Sequence, residues 1–324
     1  MNQPIDSISN PSLPSTQTTL TPEEIKQVKG LGFLLRKGTN TFNARVITRN
    51  GKITTEEMIA VAQAAKEFGN GEIAMTSRMT LEVQGIPFEK IDAFCARLAE
   101  NGLSTGGTGN KVRPVVSCKG TTCHFGLIDT YALSEKIHEL FYVGYHAVTL
   151  PHKFKIAVGG CPNNCVKPDL NDLGIIGQYR PVLNASLCRS CKVCSVAKAC
   201  PVHASRLEDG KLVFGEGCNR CGRCIGKCPF NAVCEGNRGC KITIGGRWGK
   251  RVAQGKALNH LFTSEQEVLE TVEKTILLFR KYGKAGERFA DVIDRLGFEA
   301  VEKELLSSSL LEEKESILSS EITQ

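Results

Sequence analysis

Apolar positions along the chain switch between a helical period near 3.6 and an alternating period of two, which predicts helices and strands interleaved throughout. Thr21-Pro22-Glu23-Glu24 sets a capping residue before a first-turn proline and two acids, a helix start. A strand follows over Asn43 to Thr48. Thr54-Thr55-Glu56-Glu57 is a capping box whose helix should stop at Gly69. From Glu72 to Gln84 the pattern predicts one strand, with Ile73, Met75, Met79, Leu81 and Val83 as its apolar set and Thr76, Arg78, Thr80 and Glu82 opposite. Phe88, Ile91, Cys95 and Leu98 space a helix from about Pro87 to Glu100. Another, from about Asp129 to Phe141, turns Leu133, Ile137, Leu140 and Phe141 to one side. The apolar runs Phe154–Val158 and Leu173–Gly177 read as buried strands. Thr263 to Tyr282 and Gly286 to Leu306 read as amphipathic helices, and the remainder to Gln324 as a polar, frayed tail.

Composition changes this picture little. The 324 residues, 41% hydrophobic and 23% charged, suit a soluble globular protein of one to three domains. Residues 1–20, rich in Ser, Thr, Pro and Asn, predict a disordered arm without the basic start and apolar core of a secretory signal. No apolar run approaches a membrane span of roughly 18 residues. The net charge of +7 raises nucleic acid as a partner, but the excess is local. Between Asn237 and Ser264 stand six Lys or Arg and no Asp or Glu, a distribution that suits an anionic ligand held inside the protein.

Fifteen cysteines in a chain with no secretory signal predict metal-binding thiolates in a reducing cytoplasm. Cys118 and Cys123 form one tight pair, and Cys161 and Cys165 a second at the end of the Phe154 run. Two such pairs can close around one [4Fe-4S] cube. Structural zinc is the alternative, because paired cysteines also hold zinc. Lys153 and Lys155 place two cations on one face of the strand that delivers the second pair. Zinc has no need of them; an anionic substrate or cofactor has. Farther on, Cys188-x2-Cys191-x2-Cys194-x5-Cys200-Pro201 precedes Cys218-x2-Cys221-x2-Cys224-x3-Cys228-Pro229, the bacterial two-cluster ferredoxin pattern. There the fourth cysteine of each run serves the other cluster, which groups Cys188, Cys191, Cys194 and Cys228, and separately Cys218, Cys221, Cys224 and Cys200. Of the three thiols left over, Cys95 reads as core, and Cys234 and Cys240 have no assigned role.

The stretch His152-Lys153-Phe154-Lys155-Ile156-Ala157-Val158-Gly159-Gly160-Cys161-Pro162-Asn163-Asn164-Cys165 resembles the sirohaem-binding signature of sulfite and nitrite reductases. The resemblance implies that Cys118, Cys123, Cys161 and Cys165 hold a cube, with Cys165 also bridging to sirohaem iron. Four residues separate Cys118 from Cys123 where many members have five, which bears on loop geometry more than on ligand identity. Thr76-Ser77-Arg78-Met79-Thr80 resembles the family's Thr-Arg signature on a sirohaem-facing strand, and Arg45 and Arg113 fall where two more active-site arginines stand. Lys241 to Arg251 resembles the strand and glycine turn after the cluster loop. There Gly245 and Gly246 would approach the macrocycle, and Arg247, Lys250 and Arg251 would meet its carboxylates.

The order of domains resembles the catalytic chain of the family's anaerobic branch over roughly residues 30 to 305. It implies an α+β fold: a ferredoxin-like half-domain, a sirohaem-binding α/β domain, and an inserted two-[4Fe-4S] ferredoxin domain. The expected divisions are an arm (1–20), the half-domain (21–105), a first stretch of the sirohaem domain (106–180), the insert (181–236), the rest of the sirohaem domain with C-terminal helices (237–306) and a tail (307–324). The implied function is six-electron reduction of sulfite to sulfide at sirohaem, with three [4Fe-4S] clusters and with Arg45, Arg113, Lys153 and Lys155 acting on the substrate. No flavin or nicotinamide motif is present, so the family implies a flavin subunit oxidising NADH and an iron–sulfur electron-transfer subunit as partners. A second copy of the chain is a further candidate partner; nucleic acid is not. Sirohaem-dependent nitrite reduction to ammonia and a non-enzymatic electron-transfer role are the alternatives.

Overall fold

The computed structural model describes residues 20–324, so all but the last residue of the expected arm lies outside the described residues. Two compact units divide at Gly109/Asn110.

The first unit opens with α1 (Pro22–Gly30), capped by reciprocal bonds between Thr21 and Glu24. Strands β1 (Phe33–Leu35) and β2 (Thr41–Val46) follow, then α2 (Thr55–Phe68), capped by Thr54 and Glu57 and stopped at Gly69. Next come β3 (Ile73–Met75), β4 (Leu81–Pro87) and α3 (Ile91–Ala99). The antiparallel sheet runs β1-β2-β4-β3. Alternation on β2 buries Phe42, Ala44 and Val46, which join Phe33, Val61, Phe94 and Leu98 in one core. The single strand expected over Glu72–Gln84 is a hairpin. Thr76 N–H donates to Thr80 O (3.0 Å), Met79 N–H donates to Thr76 O (3.0 Å), and Met79 has φ 59°. The turn reverses the chain at Arg78 and leaves Met75 85% exposed, so an alternation that looked continuous spans two strands. Cys95 packs at the edge of this core, as expected.

The second unit holds a five-stranded sheet of order β11-β10-β7-β6-β5. After β5 (Val116–Ser117), helix α4 (Thr130–Ile137) is capped by Asp129 and runs into a π-helical stretch, His138–Val143. The wider turn advances the helix phase, so Phe141 and Tyr142 are buried and Leu140, expected inside, is exposed. β6 (Ile156–Gly159) lies parallel to β5 and to β7 (Leu173–Leu183). Then come α5 (Ser195–Ala199), β8 (Ser205–Glu208) and β9 (Lys211–Phe214), the two strands joined by an Asp209-Gly210 turn with both residues at positive φ. β10 (Val233–Ile244) returns antiparallel to β7 from Val233↔Leu183 to Ile244↔Leu173. Residues 184–232 therefore hang from the paired ends of one ribbon, and β7 and β10 run through positions 180 and 236 where sequence suggested boundaries.

β11 (Lys256–Ala257) and α6 (Glu265–Tyr282) complete the sheet and start the helical layer. Phe279 of α6 and Phe289 close on Phe154 with ring centroids 5.4–5.9 Å apart, at the centre of this unit's core. The helix expected over Gly286–Leu306 is two, α7 (Phe289–Leu296) and α8 (Phe298–Leu305), broken at Gly297 with φ 87°. The expected frayed tail forms α9 (Ser309–Glu312) and α10 (Lys314–Ser319). Leu310 and Ile317 are buried, and Arg280 holds the carbonyls of Ile317, Leu318 and Ser320, so tertiary contacts order a segment that propensity leaves weak. Among the described residues, no helix is long and apolar enough to cross a membrane.

Candidate functional site

Adjacent parallel strands β5 and β6 deliver two cysteine pairs at their C-terminal ends. Cys118 N–H donates to Val158 O (3.0 Å), which fixes the first pair beside the second strand. A single 3-10 turn, Gly120–Thr122, takes up the short spacing to Cys123. Gly120 and Gly160 touch: a Cβ on either would lie 2.8 Å from the other's Cα. That approach lets Gly160 N–H donate to Cys118 Sγ (3.1 Å). Past Cys161 the chain turns through Asn164 (φ 58°), whose side chain donates to Asp169 Oδ1 (2.6 Å), and reaches Cys165. Cys118, Cys123 and Cys161 are half-buried, and Cys165 is exposed.

Burial pushes the Cys161 thiol up; the Asn163 N–H opposes this, while the charges of Cys165, Cys118 and Cys123 add to it. The four sulfurs thus share one electrostatic neighbourhood in which their thiolates repel. An iron–sulfur cube relieves that repulsion, and backbone N–H donors to sulfur suit it. Among the described residues, no three His, Cys, Asp or Glu side chains converge as ligands of one metal ion.

At the start of β6 lies a cationic group. Arg113 N–H donates to Phe154 O (2.8 Å), which brings the loop before β5 against the Lys153-Phe154-Lys155 run. Lys153 N–H donates to His152 Nδ1 (2.8 Å). Burial and then the charges of Arg288, Lys153, Arg113 and Lys155 hold His152 below the usual imidazole range. The structure therefore brings together Arg113, Lys153 and Lys155, all expected from sequence, and adds His152 and Arg288. His152 abuts the lysine motif and was visible there. Arg288 had no sequence signal, because its neighbours are assembled only by folding.

Next to this group, Gly245 (φ 82°) donates its N–H to Asp172 O (3.0 Å). A Cβ on Gly246 would lie 2.2 Å from Asp169 O, so only glycine fits. Arg247 donates to Asp291 Oδ1 (2.7 Å), and its buried Nε has no hydrogen-bond partner. Lys250 and Arg251 are exposed, Arg251 4.0 Å from the same Asp291 oxygen. In the first unit, Arg45 leaves the outer face of β2, 3.6 Å from Glu82, and donates to Gly107 O (3.4 Å); Arg78 stands at the β3–β4 turn.

Between β7 and β10, burial pushes Cys224 up to about 11, with Cys218, Cys221 and Cys200 adding to the effect. Burial pushes Cys200 up as well, but the Ser205 hydroxyl and the N–H groups of Ser205, Val202 and Ala204 outweigh it and hold the thiol low. Backbone N–H groups of Leu212 and Ser190 hold Cys188 low. Cys188, Cys194, Cys224 and Cys228, from both runs, share one apolar cluster with Val196 and Leu212, and Cys191 is half-buried. Cys200, the last cysteine of the first run, thus acts on Cys224 of the second. A cleft of about 430 Å³ is lined by Cys161, Asn163, Cys221 and Arg223 together with Phe125 and Tyr179. Of the unassigned thiols, Cys240 is buried and pushed up to about 12 by desolvation, and Cys234 is exposed.

Compared with known families, residues 108–314 match the nitrite and sulphite reductase 4Fe-4S domain, and residues 34–101 the nitrite/sulfite reductase ferredoxin-like half domain. An uncharacterized protein of Methanocaldococcus jannaschii is 32% identical over 83% of this chain and 91% of its own length. The coenzyme F420-dependent sulfite reductase of that organism is 31% identical over 82% of this chain and 42% of itself. The C subunit of the anaerobic sulfite reductase of Salmonella typhimurium is 32% identical over 51% of this chain and 52% of itself. The chain thus spans about half the length of these last two relatives. Dissimilatory sulfite reductase I shares the fold, with a TM-score of 0.66 at 23% identity over 82% of this chain and 68% of that one.

Proposed function

The chain belongs to the nitrite and sulphite reductase family, and from that premise we propose that it is the catalytic subunit of a cytoplasmic sulfite reductase. The observation that carries this reading is the two-ended strand β6, with Arg113, Lys153 and Lys155 gathered at its start and the four-cysteine group at its end. Cys118, Cys123, Cys161 and Cys165 would hold one cube. Cys165, the exposed member, has the sulfur best able to reach a second metal centre. Sirohaem would supply the iron that binds sulfur and, with the cube, would pass on one at a time the electrons that a six-electron reduction needs.

The cations would neutralise the sulfite anion, and the Nζ atoms of Lys153 and Lys155 would donate protons as each oxygen leaves as water. Arg45 and Arg78 of the first unit are proposed for the same anion and the macrocycle. The close-packed Gly245 and Gly246 would line the macrocycle edge, with Lys250, Arg251 and the unpartnered Nε of Arg247 toward its carboxylates.

Residues 184–232 would hold two further cubes in the crossed grouping. The Cys218 run docks on β7: Tyr179 N–H donates to Arg220 O (2.8 Å), and a Cβ on Gly222 would lie 2.7 Å from the Tyr179 ring. With Cys221 and Cys161 in one cleft, the Cys200/Cys218/Cys221/Cys224 cube is the inner relay and the Cys188/Cys191/Cys194/Cys228 cube the outer one. Electrons would come from flavin and iron–sulfur partner subunits. Nitrite reduction is the second reading, since the matched family includes it and a group of cations attracts either anion.

Iron analysis with a visible spectrum tests the cofactor set: about thirteen irons per chain, four in each of three cubes and one in sirohaem. Near eight irons without sirohaem absorbance would leave only an electron-transfer protein. Turnover compared on sulfite and nitrite assigns the substrate.

A further inference from the structure

Asp172, the residue before β7, is completely buried. A buried carboxylate is costly unless charge and hydrogen bonds compensate it. Its Oδ2 accepts the N–H of Lys155 (2.9 Å). Arg288 Nη2 donates to both of its oxygens, at 3.0 and 3.2 Å. Its main-chain carbonyl accepts Gly245 N–H (3.0 Å). One residue thus ties three separate stretches: the lysine run before β6, the glycine turn after β10, and the segment that leads into α7. Phe289, next to Arg288, packs against Phe154 between the two lysines, so the same clamp is closed by an apolar contact.

Arg288 also belongs to the cationic group at the start of β6. Its charge acts on His152 together with those of Lys153, Lys155 and Arg113. Its Nε is buried without a hydrogen-bond partner. An unpaired donor within a cationic group has one natural complement, an anionic oxygen.

We propose that Asp172 and Arg288 are positioning residues for Lys155 and the glycine turn, and that Arg288 is a fifth member of the basic group formed with Arg113, His152, Lys153 and Lys155, for a small oxyanion or a carboxylate. The anion half of this inference rests on the function proposed above; the positioning half does not.

Arg288→Lys and Arg288→Met in the cofactor-loaded protein test it, with three readouts. These are the NMR titration of His152 (assigned through His152→Gln), calorimetric binding of sulfite, and kcat against KM with a reduced dye. Arg288→Lys keeps the charge and loses the planar fork. It should leave the His152 midpoint in place and lower kcat by about tenfold to a hundredfold, the cost of a misplaced group. Arg288→Met removes a cation from His152, so its midpoint should rise toward the ordinary 6.5, and sulfite affinity should fall about tenfold. A fall in sirohaem content with unchanged sulfite affinity would assign Nε to a macrocycle carboxylate; the reverse assigns it to the substrate. An unmoved His152 midpoint in Arg288→Met with unchanged sulfite affinity and sirohaem content overturns its place in the basic group. Unchanged kcat in Arg288→Lys overturns the positioning role, also where Arg288→Met does not fold. A wild-type protein without sirohaem or sulfite binding would sink the proposed function, while the His152 shift would still decide whether Arg288 belongs to this group.

Discussion

Lys153 and Lys155 flank Phe154, and the complete burial of that ring limits where both ammonium groups can go. The ring packs on Phe279 and Phe289, a contact that neither lysine side chain makes, so either substitution is expected to leave that packing in place. Lys153→Met and Lys155→Met should therefore keep every cofactor and lose sulfite turnover, by about 10²–10⁴-fold for a group that transfers protons. Steady-state turnover with a reduced dye checks this, and a loss under threefold in both would make the lysines bystanders. The place of these lysines beside the cysteine-bearing strand was legible because the signal is local: two cations alternate with an apolar ring next to a cysteine pair. Arg288 and Asp172 were not, since a buried ion pair between distant segments leaves no mark in spacing. Cys240 was unexplained in the sequence and is simply a core thiol of β10, opposite Gly177, in contact with the apolar interior.

Elements were legible where caps mark them and misread where one period runs across a break. The Thr54–Glu57 box and Gly69 bound α2 as expected. Between β3 and β4, apolar residues keep their alternation through a turn, and only the tertiary pairing of Ile73 with Val83 shows the reversal. At Gly297 the helical spacing continues on both sides of a left-handed residue, so periodicity alone could not place the break. The loop that bears Cys118 and Cys123 depends on glycine more strictly. A Cβ on Gly126 would fall 1.8 Å from Gly120 O, the oxygen that also accepts Cys123 N–H. Gly126→Ala must open that turn, and overpacking of this kind costs about 1–3 kcal/mol. Urea unfolding should show the loss, and iron content should fall as the first cysteine pair moves. Gly30→Ala, with nothing within 4 Å of the added Cβ, is the control and should match the wild type. Equal stability and iron content in both variants would show that the Cys123 loop tolerates a side chain at Gly126.

At the scale of the whole molecule, the two cysteine runs announced a separate segment, but not how it is attached. Its expected limits at 181 and 236 lie inside β7 and β10, because the strands that carry the sheet extend outward as the stem of the segment. Where the ribbon leaves the sheet, Tyr179 of β7 pairs with the Cys218 run, and Cys221 and Cys161 line one cleft, which is where the proposed relay would cross. Chemistry and wiring can therefore be separated by damaging the outer cube alone. Cys191→Ala removes one ligand of the proposed outer group and leaves Cys118, Cys123, Cys161 and Cys165 in place. The variant should lose turnover driven by a physiological flavin donor. A small reduced dye that reaches the sirohaem directly should still drive sulfite reduction at a substantial fraction of the normal rate. Loss of the outer cube must be seen by electron paramagnetic resonance with sirohaem absorbance intact, because collapse of residues 184–232 would pull on β7 itself. Given those two controls, full donor-driven activity in Cys191→Ala would show that electrons do not enter through the outer cube.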